Sequence, residues 1–366
     1  MKVTIVGTGH GGCAMAAVMA MRGHEVSVLK LGTTMHMDNF RVLESHHRIR
    51  LEGIEGSGTF PLHRVSTHPE EVIPSAELIL VYYVANYQPM VARALSPYLH
   101  SAQTVILNPG YAGSLIFTSA MTTGANGFPL LAEFETLPYS SRITMPGSVS
   151  IVSRNVRHPF ATYPASRGSE LIAHVGHILG ECVQRRHILE VALHNPNLVI
   201  HTIGVLLNPA SIEDHGKRFA MYRDGFSESV WNVVFRLDNE KMDVLEKLGA
   251  PRIPYFEEFK LRTFEDLTID SFEGFRHYAS EAPDGPFSID HRYITEDVPI
   301  GLGLLHSLGS MVGVKTPICD TLIHLASALL PEHDFWREAR RVDQIWDGNL
   351  QHLIETTPSG TSSDAA

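Results

Sequence analysis

The chain opens with a short apolar run that leads directly into a glycine-rich turn, and this feature constrains the fold more than any other. Residues 3–6 read Val-Thr-Ile-Val, and residues 7–12 read Gly-Thr-Gly-His-Gly-Gly. A helix of small residues is predicted from Cys13 to Met21, and a second strand from Glu25 to Leu29. Strand, glycine turn, helix and strand in this order are the context in which G-x-G-x-x-G indicates dinucleotide binding. The sequence therefore predicts a Rossmann-type nucleotide site here.

Each position of the turn has an expected role in that site. Gly7 permits the tight turn, Gly9 lets the backbone approach a pyrophosphate, and Gly12 lets the helix pack closely on the strand. His10 and Gly11 lie at the predicted helix N-terminus, where backbone N–H groups and the helix dipole favour a phosphate. We therefore expect all five residues to contact or shape the cofactor.

The residue that closes the second strand bears on the choice of cofactor. NAD-specific sites usually place Asp or Glu about 20 residues beyond the glycines, where the carboxylate holds the ribose 2′-hydroxyl. At this place the chain has Lys30, and residues 26–37 contain no acid. A cation suits a 2′-phosphate, so NADP(H) is favoured. NAD(H) stays open, because Lys30 could also be a solvated surface lysine.

The rest of the first half continues the same pattern of buried strands and helices. Residues 78–84 and 104–107 read as fully apolar strands, with a helix expected around residues 90–98. Buried strands that alternate with helices indicate a doubly wound parallel sheet of the α/β class. Ligands of such sheets lie at the carboxyl ends of the strands. The residues nominated there as cofactor neighbours are Val84, Ala85, Asn108, Pro109 and Gly110, although Asn-Pro-Gly alone would read as an ordinary turn.

Beyond about Gly180 the pattern becomes helical, which predicts a second, mostly α-helical domain. We expect a Rossmann domain over residues 1–185, a helical domain over residues 186–355 and a frayed tail over residues 356–366. The cleft between two such domains is the default place for a substrate.

Composition narrows the partners and the compartment. The chain has 366 residues, a formal net charge of -11 and 44% hydrophobic residues, enough for two ordinary cores. The negative charge is spread along the chain, which disfavours nucleic acid and anionic membranes as partners. Three well separated cysteines and the lack of a membrane-length apolar run favour a reduced cytoplasmic protein. The oligomeric state is left open, with a homodimer as one candidate.

Two polar segments of the predicted helical domain stand out as sites for chemistry. His201 lies on an otherwise apolar helix, and Arg292 and Asp297 belong to an unusually polar run before another apolar helix. A lone imidazole on an apolar face is most often a satisfied core histidine. The Arg292 to Asp297 run could equally be a helix cap with a surface ion pair. His174 and His177 have metal-ligand spacing without a third ligand, so no metal site is expected.

Several segments resemble the opine dehydrogenase family, and together they cover nearly the whole chain. The most specific block is Arg292-Tyr293-Ile294-Thr295-Glu296-Asp297-Val298-Pro299-Ile300-Gly301-Leu302. The other matching segments are residues 197–201, 206–208 and 308–317, with Asn108-Pro109-Gly110 and Glu135-Thr136 in the first domain.

The resemblance implies a function and roles for the three candidates. Family members condense an amino acid or another amine with a 2-oxo acid such as pyruvate, and they reduce the imine with NAD(P)H to a secondary amine dicarboxylate. The resemblance makes His201 the catalytic acid/base, paired with Asp297, and places Arg292 in the same site. We expect Asp297 to orient the imidazole and raise its pKa, and Arg292 to clamp a carboxylate.

Departures from the family pattern keep other functions open. Family members commonly have Asp where this chain has Lys30, and many have proline at the position of Val84. A second class is a ketopantoate or glycerol-phosphate type reductase, which relies on a catalytic lysine, for which the chain offers Lys217, Lys241 and Lys247. A third is a non-catalytic NAD(P)-binding sensor.

Overall fold

The structure is a computed structural model that describes residues 1–32, 34–121, 127–214, 218–346 and 350–355. The predicted frayed tail at residues 356–366 lies outside the described residues. The strands are β1 Lys2–Val6, β2 Glu25–Leu29, β3 Arg48–Gly53, β4 Gly58–Pro61, β5 Arg64–Ser66, β6 Leu78–Val81, β7 Thr104–Leu107, β8 Leu130–Phe134, β9 Tyr139–Met145, β10 Ser148–Arg154, β11 Arg157–Tyr163 and β12 Glu181–Gln184.

Helices follow most of the strands and fill the second half of the chain. They are α1 His10–Met21, α2 Met37–His46, α3 Pro69–Val72, α4 Gln88–Leu95, α5 Gly113–Ala120, α6 Gly168–Leu179, α7 Ile188–Leu193, α8 Asn197–Leu206, α9 Pro209–Glu213, α10 Met221–Asp224, α11 Glu228–Lys247, α12 Tyr255–Thr263, α13 Ser271–Ser280, α14 Arg292–Thr295, α15 Gly303–Val312, α16 Pro317–Leu329, α17 Phe335–Glu338, α18 Val342–Ile345 and α19 Leu350–Glu355. Short 3-10 turns lie at Ala85–Tyr87, Ser96–Tyr98 and Ala165–Arg167, and a π-helical turn at Asp297–Leu302.

The first half of the chain forms an eight-stranded sheet in the order β12-β11-β8-β7-β6-β1-β2-β5. From β5 to β8 all pairings are parallel, whereas β11 runs antiparallel to β8. These six parallel strands have the order of a dinucleotide-binding fold. β1, β6 and β7 are almost completely buried, which explains their mostly apolar sequences. The prediction of a doubly wound parallel sheet is confirmed.

A second, four-stranded sheet with the order β4-β3-β10-β9 was not predicted from the sequence. Its strands pack against α1, whose other neighbours include β1 and β2 of the main sheet. Residues 12–19 of α1 are all buried, and the helix has no polar face. A helix that is apolar all round must be covered on every side. The small sheet supplies the cover that the main sheet cannot.

The described chain divides into two compact units. The first is Met1–Val191 with the C-terminal segment that contains α19, and the second is Ala192–Asp347. The second unit consists of helices, apart from one isolated bridge between Ala220 and Gly285, so its predicted class is confirmed. The division differs from the expected one because α19, assigned from sequence to the helical domain, groups with the first unit. In the parts described, no helix combines the length and apolar character needed to span a bilayer.

Candidate active site

The glycine turn of the first unit is shaped by close packing of backbone on backbone. Gly7 has φ of +122°, and a Cβ there would lie 2.5 Å from the carbonyl oxygen of Tyr82. A Cβ on Gly12 would lie 2.2 Å from the carbonyl oxygen of Gly7. Both positions therefore require glycine for the fold itself. Gly9 differs, since a Cβ there would only make ordinary 3.5 Å contacts with the His36 ring.

A pocket of about 400 Å³ opens beside this turn. It is lined by Gly7, Thr8, Gly9, Lys30, Met35, His36, Tyr82, Tyr83, Val84 and Tyr87. The Thr8 hydroxyl is buried in the turn and has no hydrogen-bond partner among the described residues. A missing Cβ at Gly9, an unsatisfied hydroxyl and the N-terminus of α1 fit a bound phosphate ester. Lys30 and Val84 thus share one pocket with the glycines, as the sequence predicts.

Lys30 is held in place by the residue that follows it. The Tyr83 hydroxyl donates a hydrogen bond to the Leu31 carbonyl at 2.8 Å and accepts one from the Leu31 N–H at 2.6 Å. Lys30 is only 4% exposed, and burial lowers the pKa of its ammonium. Burial, and then the charge of Lys30, also lower the pKa of the nearby His36. A surface lysine is therefore the wrong description of Lys30. Neither His36 nor Tyr83 was predicted to belong to the pocket.

Seven of the predicted cofactor neighbours do not line this pocket. The His10 ring turns toward β9, where Nδ1 accepts a hydrogen bond from the Ile143 N–H at 2.9 Å. Gly11 faces Tyr82 and Leu137. The remaining five are Gly12, which packs on Gly7, Ala85, which is buried, Asn108, which lines a different small cavity, Pro109, whose carbonyl accepts a hydrogen bond from Gln88, and Gly110, which packs on Glu133.

The Asn108-Pro109-Gly110 turn is fixed by buried side chains. Glu133 accepts hydrogen bonds from the Ala112 N–H at 2.9 Å and the Ser114 N–H at 2.7 Å, at the start of α5. Gln88 donates to the carbonyl of Gly110 at 2.9 Å. The turn is therefore a built feature of the sheet edge rather than an ordinary surface turn.

In the second unit, His201 and Asp297 are brought together across 96 residues of chain. Nδ1 of His201 lies 2.8 Å from Oδ2 of Asp297. His201 lies on α8 and is 3% exposed, while Asp297 begins the π-helical turn and is fully buried. An ionised carboxylate can only accept, so Nδ1 carries the proton and Nε2 is left as an acceptor. The buried, hydrogen-bonded ring fits the satisfied core histidine of the first interpretation, and its bond to Asp297 is the pairing that the resemblance implies.

Two tyrosines complete the surroundings of His201, and no sequence pattern pairs either of them with it. The Tyr222 hydroxyl lies 2.9 Å from Nε2, where it donates a hydrogen bond to the neutral ring. Tyr293 stacks on the imidazole with centroids 3.5 Å apart and an interplanar angle of 17°. Tyr293 stands beside Arg292 in the block that resembles the family, which is a signal that could have drawn attention to it.

The expected upward shift of the His201 pKa is not what the structure shows. Burial lowers the pKa well below its ordinary value, because the imidazolium loses hydration. The nearby Arg292 lowers it further, whereas Glu296 opposes the shift. His201 is therefore neutral at rest, and the role of Asp297 is to fix the tautomer and the ring orientation.

Arg292 pairs with a different carboxylate from the one considered from sequence. Its Nη1 lies 3.0 Å from Oε2 of Glu296, one helical turn away, and its guanidinium lies 5.6 Å from the Tyr293 ring centroid. The Arg292 side chain is 44% exposed, whereas Glu296 is almost completely buried. Arg292 thus lies close to the cluster formed by His201, Tyr222, Tyr293 and Asp297, and part of its side chain is exposed to solvent.

A family model described as the alpha-helical domain of NAD/NADP octopine/nopaline dehydrogenase matches residues 184–330. An opine dehydrogenase from Arthrobacter sp. (strain 1C) is 27% identical over 346 residues, which cover 93% of this chain and 94% of that protein. The helical segment of this chain therefore matches the opine dehydrogenase family model, and nearly the whole chain is similar to an opine dehydrogenase. The resemblance recognised from the Arg292 to Leu302 block is confirmed.

Solved structures share the fold of this chain. A structure described as octopine dehydrogenase in complex with NADH and agmatine has a TM-score of 0.74 at 16% identity and covers 98% of this chain and 99% of its own. A yersinopine dehydrogenase with NADP+ bound has a TM-score of 0.73 at 12% identity and covers 95% of this chain and 99% of its own. At such identities the likeness shows the fold alone.

The structure places two of the three candidate catalytic lysines and one of the two histidines with metal-ligand spacing as follows. Lys241 is buried and lies 2.5 Å from Asp238, and Lys247 ends α11 on the surface. Lys217 lies outside the described residues. His174 lies 3.2 Å from the Thr104 hydroxyl. Within the described ranges no group of three His, Cys, Asp or Glu side chains is placed to hold a metal ion, and the lack of a metal requirement stays a prediction.

Proposed function

We propose that this chain is an NAD(P)H-dependent oxidoreductase of the opine dehydrogenase type. It condenses an amino acid or another amine with a 2-oxo acid such as pyruvate and reduces the imine to a secondary amine dicarboxylate. The observation that carries the proposal is the buried His201–Asp297 hydrogen bond, in the domain that the family model matches. A chain that only bound a nucleotide would have no use for an oriented imidazole beside an exposed arginine.

The cofactor proposed is NADP(H), held by the glycine turn and Lys30. Gly9 leaves room for the pyrophosphate, the Thr8 hydroxyl offers a donor, and the Lys30 ammonium suits a 2′-phosphate. NAD(H) is the alternative, because neighbours of the same fold have been solved with NADH as well as with NADP+. When bound, the nicotinamide supplies the hydride that reduces the imine carbon.

His201 serves as the proton carrier of the proposed reaction. Its neutral Nε2 takes a proton as the amine is activated, and Asp297 stabilises the imidazolium that forms. The same proton then returns to the carbinolamine oxygen, which leaves as water. A lowered resting pKa suits this cycle, since the ring must begin as a base and the gained proton must leave readily.

Arg292 is the proposed clamp for the 2-oxo acid carboxylate. Its planar guanidinium can form two parallel hydrogen bonds with a carboxylate, and its exposed face is free of burial by the fold. The Glu296 pair holds one edge of the guanidinium in a fixed direction. The clamp would therefore be oriented before the substrate arrives.

The experiment that tests the function is a substrate screen with purified protein. NADPH oxidation is followed by its near-ultraviolet absorbance with pyruvate and a panel of amines, with matched NADH reactions. The proposal expects turnover only when amine and 2-oxo acid are both present. Oxidation without an amine would assign the chain to the carbonyl reductases. Tight NADPH binding without turnover on any pair would make it a sensor.

A further inference from the structure

The proposed proton carrier has no ring nitrogen open to a substrate. Nδ1 of His201 is bonded to Asp297, and Nε2 is bonded to the hydroxyl of Tyr222. One face of the ring is stacked on Tyr293, and the residue as a whole is 3% exposed. A proton that enters or leaves Nε2 in this arrangement must pass through the phenol oxygen.

Tyr222 is aimed at His201 by several independent backbone contacts. The side-chain amide of Asn208 donates to the carbonyls of both Gly204 on α8 and Gly225 after α10, each at 2.9 Å. The Met221 N–H donates to the Gly285 carbonyl at 3.0 Å, which fixes the start of the short helix α10. The phenol is therefore held in position by the fold.

Gly204 makes this approach of the two helices possible. A Cβ at position 204 would lie 2.7 Å from Sδ of Met221 and 2.9 Å from Cζ of Phe226. The glycine lies one turn beyond His201 on α8, opposite the segment that carries Tyr222. The sequence thus leaves out a side chain at the point where the phenol must come within hydrogen-bond distance of the imidazole.

Resting on the proposed function, we infer that Tyr222 is the group that exchanges protons with the substrate, as the outer member of a Tyr222–His201–Asp297 relay. Tyr222 retains a partly exposed side chain while His201 does not. Arg292 lies 5.6 Å from the ring of Tyr293, which stacks on the same imidazole that Tyr222 contacts, so a carboxylate bound by that arginine would lie close to the phenol. Tyr222 is therefore a further catalytic residue.

The relay balances the protons of the condensation. The substrate ammonium gives a proton to the phenol oxygen while the phenol proton passes to Nε2 of His201, which leaves a free amine and an imidazolium held by Asp297. The amine nitrogen bonds to the carbonyl carbon, and proton transfer from nitrogen to oxygen gives the carbinolamine. The relay then runs backward: Nε2 returns its proton to the phenol, and the phenol proton goes to the hydroxyl. The C–O bond breaks, water leaves, and the iminium carbon accepts the hydride.

The decisive experiment compares Tyr222→Phe with Tyr278→Phe in the full-length protein, using the amine and 2-oxo acid pair that the screen identifies. Tyr278 is the matched control because its ring packs against Tyr222 at 5.9 Å without a hydrogen bond to His201. We expect Tyr222→Phe to lower kcat about 100-fold, the scale of a lost general acid or base, with KM for the 2-oxo acid and NADPH affinity little changed. Tyr278→Phe should stay within about twofold of the wild type.

A double variant separates a relay from two independent residues. If Tyr222 acts through His201, the His201→Ala and Tyr222→Phe double variant should be about as slow as His201→Ala alone. Losses that multiply would overturn the relay, and so would a Tyr222→Phe variant with wild-type kcat. If the wild type has no amine-dependent turnover at all, the proposed function fails instead, which keeps the two failures distinguishable.

A measurement on the unaltered protein covers the case in which Tyr222→Phe does not fold. Single-turnover rates are recorded in mixtures of H2O and D2O. A relay that moves two protons in one step predicts a curved dependence of rate on deuterium fraction. A straight line would mean that one proton moves, and it would overturn the relay.

Discussion

The nucleotide pocket of the first unit and the histidine cluster of the second are built in opposite ways. The pocket is formed around backbone: two glycines are required by carbonyl groups that lie where a Cβ would be, and a third leaves open space. The cluster is formed by side chains from α8, α10, α14 and the π-helical turn, with Tyr222, Tyr293 and Asp297 each in contact with His201. The residues that form the backbone site are consecutive in the sequence, whereas the residues that form the side-chain site come together only in the tertiary fold.

The largest expected effect comes from a comparison of the buried histidine–aspartate pair with a similar pair that is partly exposed. His201→Ala should lower reductive turnover by about 100-fold or more while NADPH affinity is retained. His306→Ala is the control, because His306 and Asp320 form a 2.7 Å histidine–carboxylate pair that is about one third exposed. We expect the control to keep wild-type kcat. Equal losses in both variants would remove His201 from the mechanism.

The next prediction distinguishes a glycine that the fold requires from a glycine that the bound cofactor requires. Gly12→Ala should lower stability by about 1–3 kcal/mol, because its Cβ would lie 2.2 Å from the Gly7 carbonyl oxygen. Gly9 has φ of -81°, and a Cβ at this position would lie no closer than 3.5 Å to the His36 ring. The melting temperature of Gly9→Ala should therefore match that of the wild type. The new methyl group faces the pocket, and NADPH affinity measured by fluorescence titration should fall about tenfold. Unaltered affinity in Gly9→Ala would place the pyrophosphate elsewhere.

A smaller effect is expected on the preference for NADPH over NADH when Lys30 is replaced. Lys30→Asp should shift the ratio of kcat/KM for NADPH over NADH toward NADH by about tenfold, since a carboxylate repels the 2′-phosphate and accepts the ribose hydroxyl. Lys315→Asp makes the same charge change at an exposed position of the second unit. Its ratio should match the wild type. If Lys30→Asp also leaves the ratio unaltered, Lys30 does not read the ribose.

The smallest effect concerns pH, and it comes from a buried histidine of the first unit. Burial lowers the pKa of His158 to about 4, from 6.5 in the unfolded chain. The folded state therefore resists protonation, and the stability that this group contributes is present above about pH 6.5 and is lost as pH falls toward 4. His158→Gln should make the acid-side fall of the melting temperature shallower, by several degrees. His68→Gln, at an exposed site, should leave the curve as it is.

Local patterns were sufficient for the nucleotide-binding part of the first unit and insufficient for the histidine cluster of the second. The glycine turn, β1, α1, β2, β6 and β7 follow from runs of adjacent residues and from the rule that parallel strands are buried on both faces. The pairing of His201 with Asp297 came only from resemblance, since no spacing rule joins residues 96 positions apart. The pKa direction of His201 was wrong because a sequence names the neighbouring carboxylate but not the depth of burial.

The small sheet was missed for a related reason. β3 and β10 carry polar residues between their buried ones, unlike the mostly apolar runs of β1, β6 and β7 that indicate buried strands. The signal lay instead in α1, a helix without a polar stripe, which indicates that something other than solvent faces its outer side.

The apolar helix α1 is covered by two stretches of chain that lie far apart in the sequence. Residues 48–61 contain β3 and β4, residues 139–154 contain β9 and β10, and all four strands contact α1. A deletion of either stretch would remove two of the four strands and expose methionine and alanine side chains of α1 to water. We therefore expect a chain shortened at either stretch to self-associate.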